Sequence, residues 1–108
     1  MLLRRMVSTL SLENITVVHD STGKVFRALT GQGVEIGHLE YRILGNGSKK
    51  SVEFYHTSTR PEAQGKGVAG KIVEAGLTWA LEQKMAIVPS CSYVSLFMRK
   101  NPRFNSSL

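Results

Sequence analysis

Between Gln64 and Lys71 the chain reads Gln-Gly-Lys-Gly-Val-Ala-Gly-Lys, three glycines and two lysines in eight residues. Such residues serve phosphate. Free backbone N–H groups and the positive end of a helix dipole attract anions, and glycine lets an oxygen approach the backbone where a Cβ would stand. The bland alternative is a flexible loop feeding a helix. Gly65, Gly67 and Gly70 fit G-x-G-x-x-G, which must follow a strand almost directly and have an acidic residue about 20 positions on. Here seven residues separate Thr57 from Gly65, and the residue 20 beyond Gly70 is Ser90. Gly65 and Gly70-Lys71 nearly spell G-x-x-x-x-G-K-[ST], but Ile72 stands where Mg²⁺ needs a hydroxyl. Met85 to Val88 supplies no aspartate either, so nucleotide hydrolysis is disfavoured.

The elements around this loop change period at it. Asn14–His19, Lys24–Leu29, Val34–Leu44 and Ser51–Thr57 read as strands, separated by Asp20-Ser21-Thr22-Gly23, Thr30-Gly31-Gln32-Gly33 and Gly45-Asn46-Gly47-Ser48. In the third run the phase slips near Gly37, which predicts a bulge there. In the fourth, Val52, Phe54 and His56 fall on one face. From Gly65 to Lys84 the apolar residues recur at helical spacing, and glycines kept inside a helix often reflect a close approach to its backbone. Met85–Val88 is a short buried strand, reached by a crossover and therefore parallel to the fourth, and Pro89 ends it. Ser92–Lys100 is a shorter helix with Ser90 or Ser92 as N-cap, stopped by Asn101-Pro102. The order ββββ-α-β-α predicts an α+β domain, a mostly antiparallel sheet with one long and one short helix. We expect a flexible start over residues 1–13 and a single domain over 14–108.

Composition narrows the function classes. Hydrophobic residues make up 42% and charged residues 20% of the 108, close to a soluble globular average. No apolar run approaches the roughly 20 residues that span a bilayer, so no membrane partner is expected. One cysteine, Cys91, excludes an internal disulfide framework and a cysteine-built zinc site, and no metal is expected. It also fits an intracellular setting, cytoplasmic or nuclear. The first twelve residues, with Arg4, Arg5 and no acid, have the composition of a short mitochondrial presequence and equally of a disordered start. The net charge of +6 is uneven, +2 over residues 1–65 and +4 over 66–108. That balance suits an anionic partner or simply a soluble surface. The eight aromatics match no nucleic-acid-reading strand pattern, which places nucleic acid last among the partners.

Gln64, Gly67 and Ala69 also spell Q-x-x-G-x-A, which resembles motif A of the GNAT acetyltransferase superfamily. The loop stands between a fourth strand and a long helix, as in that family. The likeness runs over residues 52–102, about half the chain: His56-Thr57, Pro61, Gln64 to Gly67, Pro89 to Val94, and Asn101-Pro102 look like very small GNAT-like proteins without the usual substrate-covering N-terminal helices. The resemblance implies acetyl-CoA as cofactor and transfer of its acetyl group to an amine. It implies that the amides of Gly65, Lys66, Gly67, Val68, Ala69 and Gly70 hold the pyrophosphate after Gln64. Lys66 and Lys71 would meet phosphates, and the backbone of Tyr55, His56 and Thr57 would pair with the pantetheine arm where strands four and five splay. The chain departs from the family at the last helix, where Leu96 to Pro102 contains no tyrosine to protonate the leaving thiolate. Tyr93 lies about one turn earlier, and its simplest role is a core aromatic with its hydroxyl at the surface.

Two residues are then candidates for catalysis. Cys91 precedes the last helix, whose dipole favours a thiolate, and could accept the acyl group. His56, near the end of the adjacent strand, could instead deprotonate the incoming amine. Each has a plainer reading, as a small core cysteine and as a core histidine. Glu35, Glu40 and Glu53 are spread along strands as solvated positions, so no carboxylate cluster names the acceptor. The function expected is an acetyl-CoA-dependent N-acetyltransferase. The alternatives are a non-catalytic acyl-CoA-binding or regulatory module and, after it, a basic nucleic-acid-associated domain.

Overall fold

The computed structural model describes Leu12 and residues 14–107. The expected flexible start and presequence fall outside these described residues, Leu12 apart. Four strands come first: β1 (Thr16–Asp20), β2 (Val25–Leu29), β3 (Glu35–Asn46) and β4 (Lys49–Thr59). Each follows the last through a short turn, so neighbours pair antiparallel. Asp20 Oδ1 accepts the Gly23 N–H at 2.9 Å and closes the first turn. The β3–β4 register runs out to Asn46 opposite Lys49. That leaves Gly47-Ser48 as a two-residue loop, with Gly47 at φ +62°. Helix α1 (Val68–Glu82), strand β5 (Ala86–Pro89) and helix α2 (Ser92–Lys100) complete the expected order. Two 3₁₀ turns, Pro61–Ala63 and Pro102–Ser107, were not expected. The strands lie in the order β1-β2-β3-β4-β5, and β5 runs parallel to β4. No helix among the described residues is long and apolar enough to cross a membrane.

Two bulges decide which side chains face the helices. Ala28 pairs with Gly37 but Leu29 pairs with Glu35, so Ile36 is the extra residue, one position from the expected slip. Glu40 pairs with His56 but Tyr41 with Phe54, so Tyr55 is a second extra residue. This one was not foreseen, and it corrects the reading of β4. Val52 and Phe54 are buried, but beyond the bulge the parity flips and His56 is exposed, away from them. Leu39, Tyr41, Val52 and Phe54 form the sheet's side of the core, packed with Ile72, Val73, Leu77, Val94, Met98 and Phe104. The opposite face is polar. Arg27 pairs there with Asp20 (3.2 Å) and Glu35 (2.9 Å), and Arg42 with Glu53 (3.1 Å).

Gly76 shows how closely α1 lies on the sheet. A Cβ there would stand 2.8 Å from Leu39 Cδ2 and 3.1 Å from Phe54 Cε1, both side chains wholly buried. His19 closes the core at the β1 edge. It stacks on Phe26 with ring centroids 4.1 Å apart, and its Nε2 lies 2.7 Å from the Tyr41 hydroxyl. Burial pushes the His19 pKa below the ordinary histidine value, against the pull of Asp20.

Two outcomes follow from this packing. Gly76→Val overpacks the helix–sheet contact and costs about 1–3 kcal/mol. A thermal melt reads that as roughly 4–8 °C per kcal/mol, and an unchanged melt would show that the core has room. Because folded His19 resists protonation, the unfolded chain binds more protons as pH falls through about 6.5, and stability drops. Denaturant melts between pH 7 and 5.5 should show this loss and His19→Gln should flatten it; identical profiles would remove His19 as its source.

Candidate functional site

The parallel ladder between β4 and β5 is short. It runs from Ser51–Ala86 to Phe54–Pro89 and ends there, while β4 continues to Thr59 still paired with β3. Pro89 has no N–H with which to extend the ladder. The next bond comes from Cys91, whose N–H donates to the Phe54 carbonyl at 3.0 Å. Beyond it, Tyr55, His56 and Thr57 have no β5 residue opposite them. The edge predicted to receive an extended ligand is therefore a notch between two splayed strands.

The glycine segment opens beside this notch. Gly65 (φ +77°) and Gly67 (φ +82°) are in the left-handed region, and a Cβ on either would meet nothing within 4 Å. Their near faces are open space that a side chain would fill. Gly67 is the N-cap of α1, and the first helical bond runs from Lys71 N–H to the Gly67 carbonyl at 3.2 Å. The amides of Val68, Ala69 and Gly70 thus have no partner inside the helix. Gln64 ties the loop to β4, its Nε2 donating to the Thr59 carbonyl at 3.0 Å. Thr59, Ala63, Gln64, Gly65, Gly67 to Gly70 and Tyr93 line a cleft of about 240 Å³. Lys66 stands exposed on the same loop, whereas Lys71 lines a separate groove with Ile15 and Val17. A larger cavity, about 450 Å³, lies elsewhere, against Tyr41, Ile43, Trp79 and Met85. It contains none of the expected site residues, so size alone does not choose the site.

Tyr93 is the residue the sequence underrated. It is 38% exposed rather than in the core. Its hydroxyl comes within 3.7 Å of where a Gly70 Cβ would be, at the cleft. The available signal was its place two residues after Cys91, which puts it on the first turn of α2.

Cys91, not Ser90 or Ser92, is the N-cap of α2. Its amide is held by Phe54, whereas the Ser90 hydroxyl donates to Glu53 Oε2 at 2.6 Å and Ser92 is already helical. The structure also separates the two catalytic candidates. Cys91 Sγ lies 3.2 Å from Thr57 Oγ1, on the helix-covered side of the sheet. His56, one residue earlier on β4, projects from the open face, where its ring is 5.8 Å from that of His38. Burial alone would raise the Cys91 pKa. The Thr57 hydroxyl and the amides of Val94, Tyr93 and Thr57 outweigh it and hold the thiol below its ordinary value.

A family model described as GCN5-related N-acetyl-transferase matches residues 25–107. Among curated proteins, Protein NATD1 of Xenopus tropicalis is 25% identical over 89 residues, which are 82% of this chain and 79% of that protein. Protein NATD1 of Bos taurus is 26% identical over 88 residues, 82% of this chain and 75% of its own. Among solved structures, a GCN5-like protein from Staphylococcus aureus superposes with a TM-score of 0.58 at 20% identity, covering 86% of each chain. An aminoglycoside acetyltransferase from an uncultured soil sample, in complex with sisomicin, gives 0.56 at 19% identity over 94% of this chain and 74% of its own. At such identities the two structures speak for the fold, a five-stranded, mostly antiparallel sheet with two helices.

The Thr57–Cys91 contact has a direct readout. Iodoacetamide should alkylate Cys91 with a pH midpoint below that of an ordinary thiol, about 8.5. Thr57→Val should move that midpoint upward and slow the reaction severalfold at pH 7. An unchanged profile would mean that the hydroxyl does not support the thiolate.

Proposed function

The chain belongs to the GCN5-related N-acetyl-transferase family, and from that premise we propose that it binds acetyl-CoA in the glycine cleft and notch and transfers the acetyl group to an amine. The observation that carries the reading is the cradle itself. Two left-handed glycines with open space at their Cβ positions lead into a helix whose first amides have no partner within it. Those features fit the diphosphate of coenzyme A, and exposed Lys66 adds a counter-charge.

Each part of the site has a task under this reading. The amides from Gly65 to Gly70 hold the phosphates, and Gln64 fixes the loop against β4. The backbone of Tyr55, His56 and Thr57 lacks β5 neighbours and, apart from the Thr57 amide that faces Cys91, offers hydrogen bonds to an extended amide-bearing arm. Tyr93 walls the cleft beside Gly70. Acetyl-CoA supplies the acetyl group as a thioester. Cys91 Sγ, held as a thiolate-favouring group at the mouth of the notch by Thr57 and the first turn of α2, is the nucleophile of this chain. No tyrosine of α2 stands in the last turn to compete for a proton role.

Gly67→Val places a branched side chain in the cradle and strains a positive φ. Calorimetry on the folded variant should show acetyl-CoA affinity reduced at least about tenfold, the equivalent of 1.4 kcal/mol. Cys91→Ala should keep that affinity and lose transfer to a test amine. Unchanged affinity in Gly67→Val would move the cofactor elsewhere, and undiminished transfer in Cys91→Ala would remove the thiol from the chemistry. A wild-type chain that binds and never transfers would be an acyl-CoA-binding module.

A further inference from the structure

Three side chains that the proposed function leaves unused stand together on the open face of the sheet. His38 and Glu40 are two residues apart on β3 and so share that face, and His56 is the register partner of Glu40 on β4. One nitrogen from each histidine and one Glu40 oxygen all lie within 4.8 Å of one another. His38 and Glu40 are half-buried and His56 is exposed. Glu40, read from the sequence as a solvated strand position, is thus part of a cluster.

The hydrogen bonds around the cluster give it direction. His38 Nδ1 lies 3.0 Å from Glu35 Oε2, and His38 Nε2 lies 3.2 Å from Glu40 Oε2. A neutral imidazole carries one N–H. With Nδ1 toward Glu35, Nε2 is the ring nitrogen that faces Glu40 and the His56 ring. A metal ion would engage all three groups. The surroundings also match what metal ligands need. A ligating histidine typically donates its other N–H to a carboxylate, and a ligating carboxylate is itself hydrogen-bonded. Glu35 fills the first role and is held by Arg27 at 2.9 Å. The Tyr55 hydroxyl fills the second, donating to Glu40 Oε1 at 3.2 Å.

We propose that His38 Nε2, Glu40 and the His56 ring bind a divalent transition-metal ion of the Zn²⁺ class, with water completing its coordination. Two imidazoles and one carboxylate suit Zn²⁺, whereas Mg²⁺ and Ca²⁺ prefer all-oxygen sites. Tetrahedral ligand atoms are about 3.4 Å apart at zinc bond lengths, so the cluster must draw in slightly. Exposed His56 can make that movement by rotation. The absence of metal expected from the sequence rested on the missing cysteine cluster, and cross-strand ligands leave no linear spacing to read. The site shares no side chain with the glycine cradle or with Cys91.

The full chain, stripped with chelator, is titrated with ZnCl₂ by calorimetry and with CoCl₂ by visible absorption. Binding of one ion per chain is expected, with ligand-field bands for Co²⁺ and no heat from MgCl₂. His38→Ala, Glu40→Gln and His56→Ala should each weaken Zn²⁺ at least about tenfold, and Tyr55→Phe should weaken it less. Cys91→Ala should bind as the wild type does, with circular dichroism confirming that every variant is folded. The proposal is overturned if the wild type binds no more tightly than the His38→Ala/His56→Ala double variant, or if Cys91→Ala alone abolishes binding.

Discussion

A proline at the fourth rung of the parallel β4–β5 ladder sets the geometry of the candidate cofactor site. Pro89 faces Phe54 and cannot donate a further sheet bond, so β5 turns away while β4 goes on to Thr59. The Cys91 amide takes the Phe54 carbonyl, and this single bond both seals the end of the ladder and sets the start of α2. The first turn of α2 then brings Tyr93 toward Gly70, and the cap position brings the thiol to Thr57. Cradle, notch and thiol are neighbours because one strand stops early.

The bulge at Tyr55 distributes the side chains around that notch. Without the extra residue, His56 would follow Val52 and Phe54 onto the covered face and Thr57 would point outward. With it, Thr57 meets Cys91 while His56 joins His38 and Glu40. One inserted residue therefore gives the two faces of β4 different chemistries: a thiol–hydroxyl pair against the helices, and an imidazole–carboxylate group facing outward.

Local signals in the sequence carried most of the architecture. The ββββ-α-β-α order, the parallel β5, α2 at Ser92–Lys100 and the phase slip beside Gly37 all follow from periodicity and turn residues, which act over a few positions. The glycine motif was legible for the same reason, since Gln64, Gly67 and Ala69 belong to one loop and one helical turn. What could not be read depends on register. The Tyr55 bulge has no glycine to announce it, so β4 looked like an uninterrupted alternation and His56 was assigned to the wrong face. Tyr93 against Gly70, and His38 against His56, are meetings of residues far apart in sequence that only the sheet order brings about.

Every other strand pair in this sheet joins neighbours across a short turn, but β5 reaches β4 across a span of 35 residues, from Ser51 to Ala86. Closing so long a loop costs more entropy than closing a hairpin, and it is offset by four rungs together with the packing of α1 on the sheet. The order of assembly follows. During synthesis β1 to β4 can form as a meander before β5 has left the ribosome, so the half of the molecule that carries the imidazole–carboxylate face comes first. The notch exists only after the crossover closes.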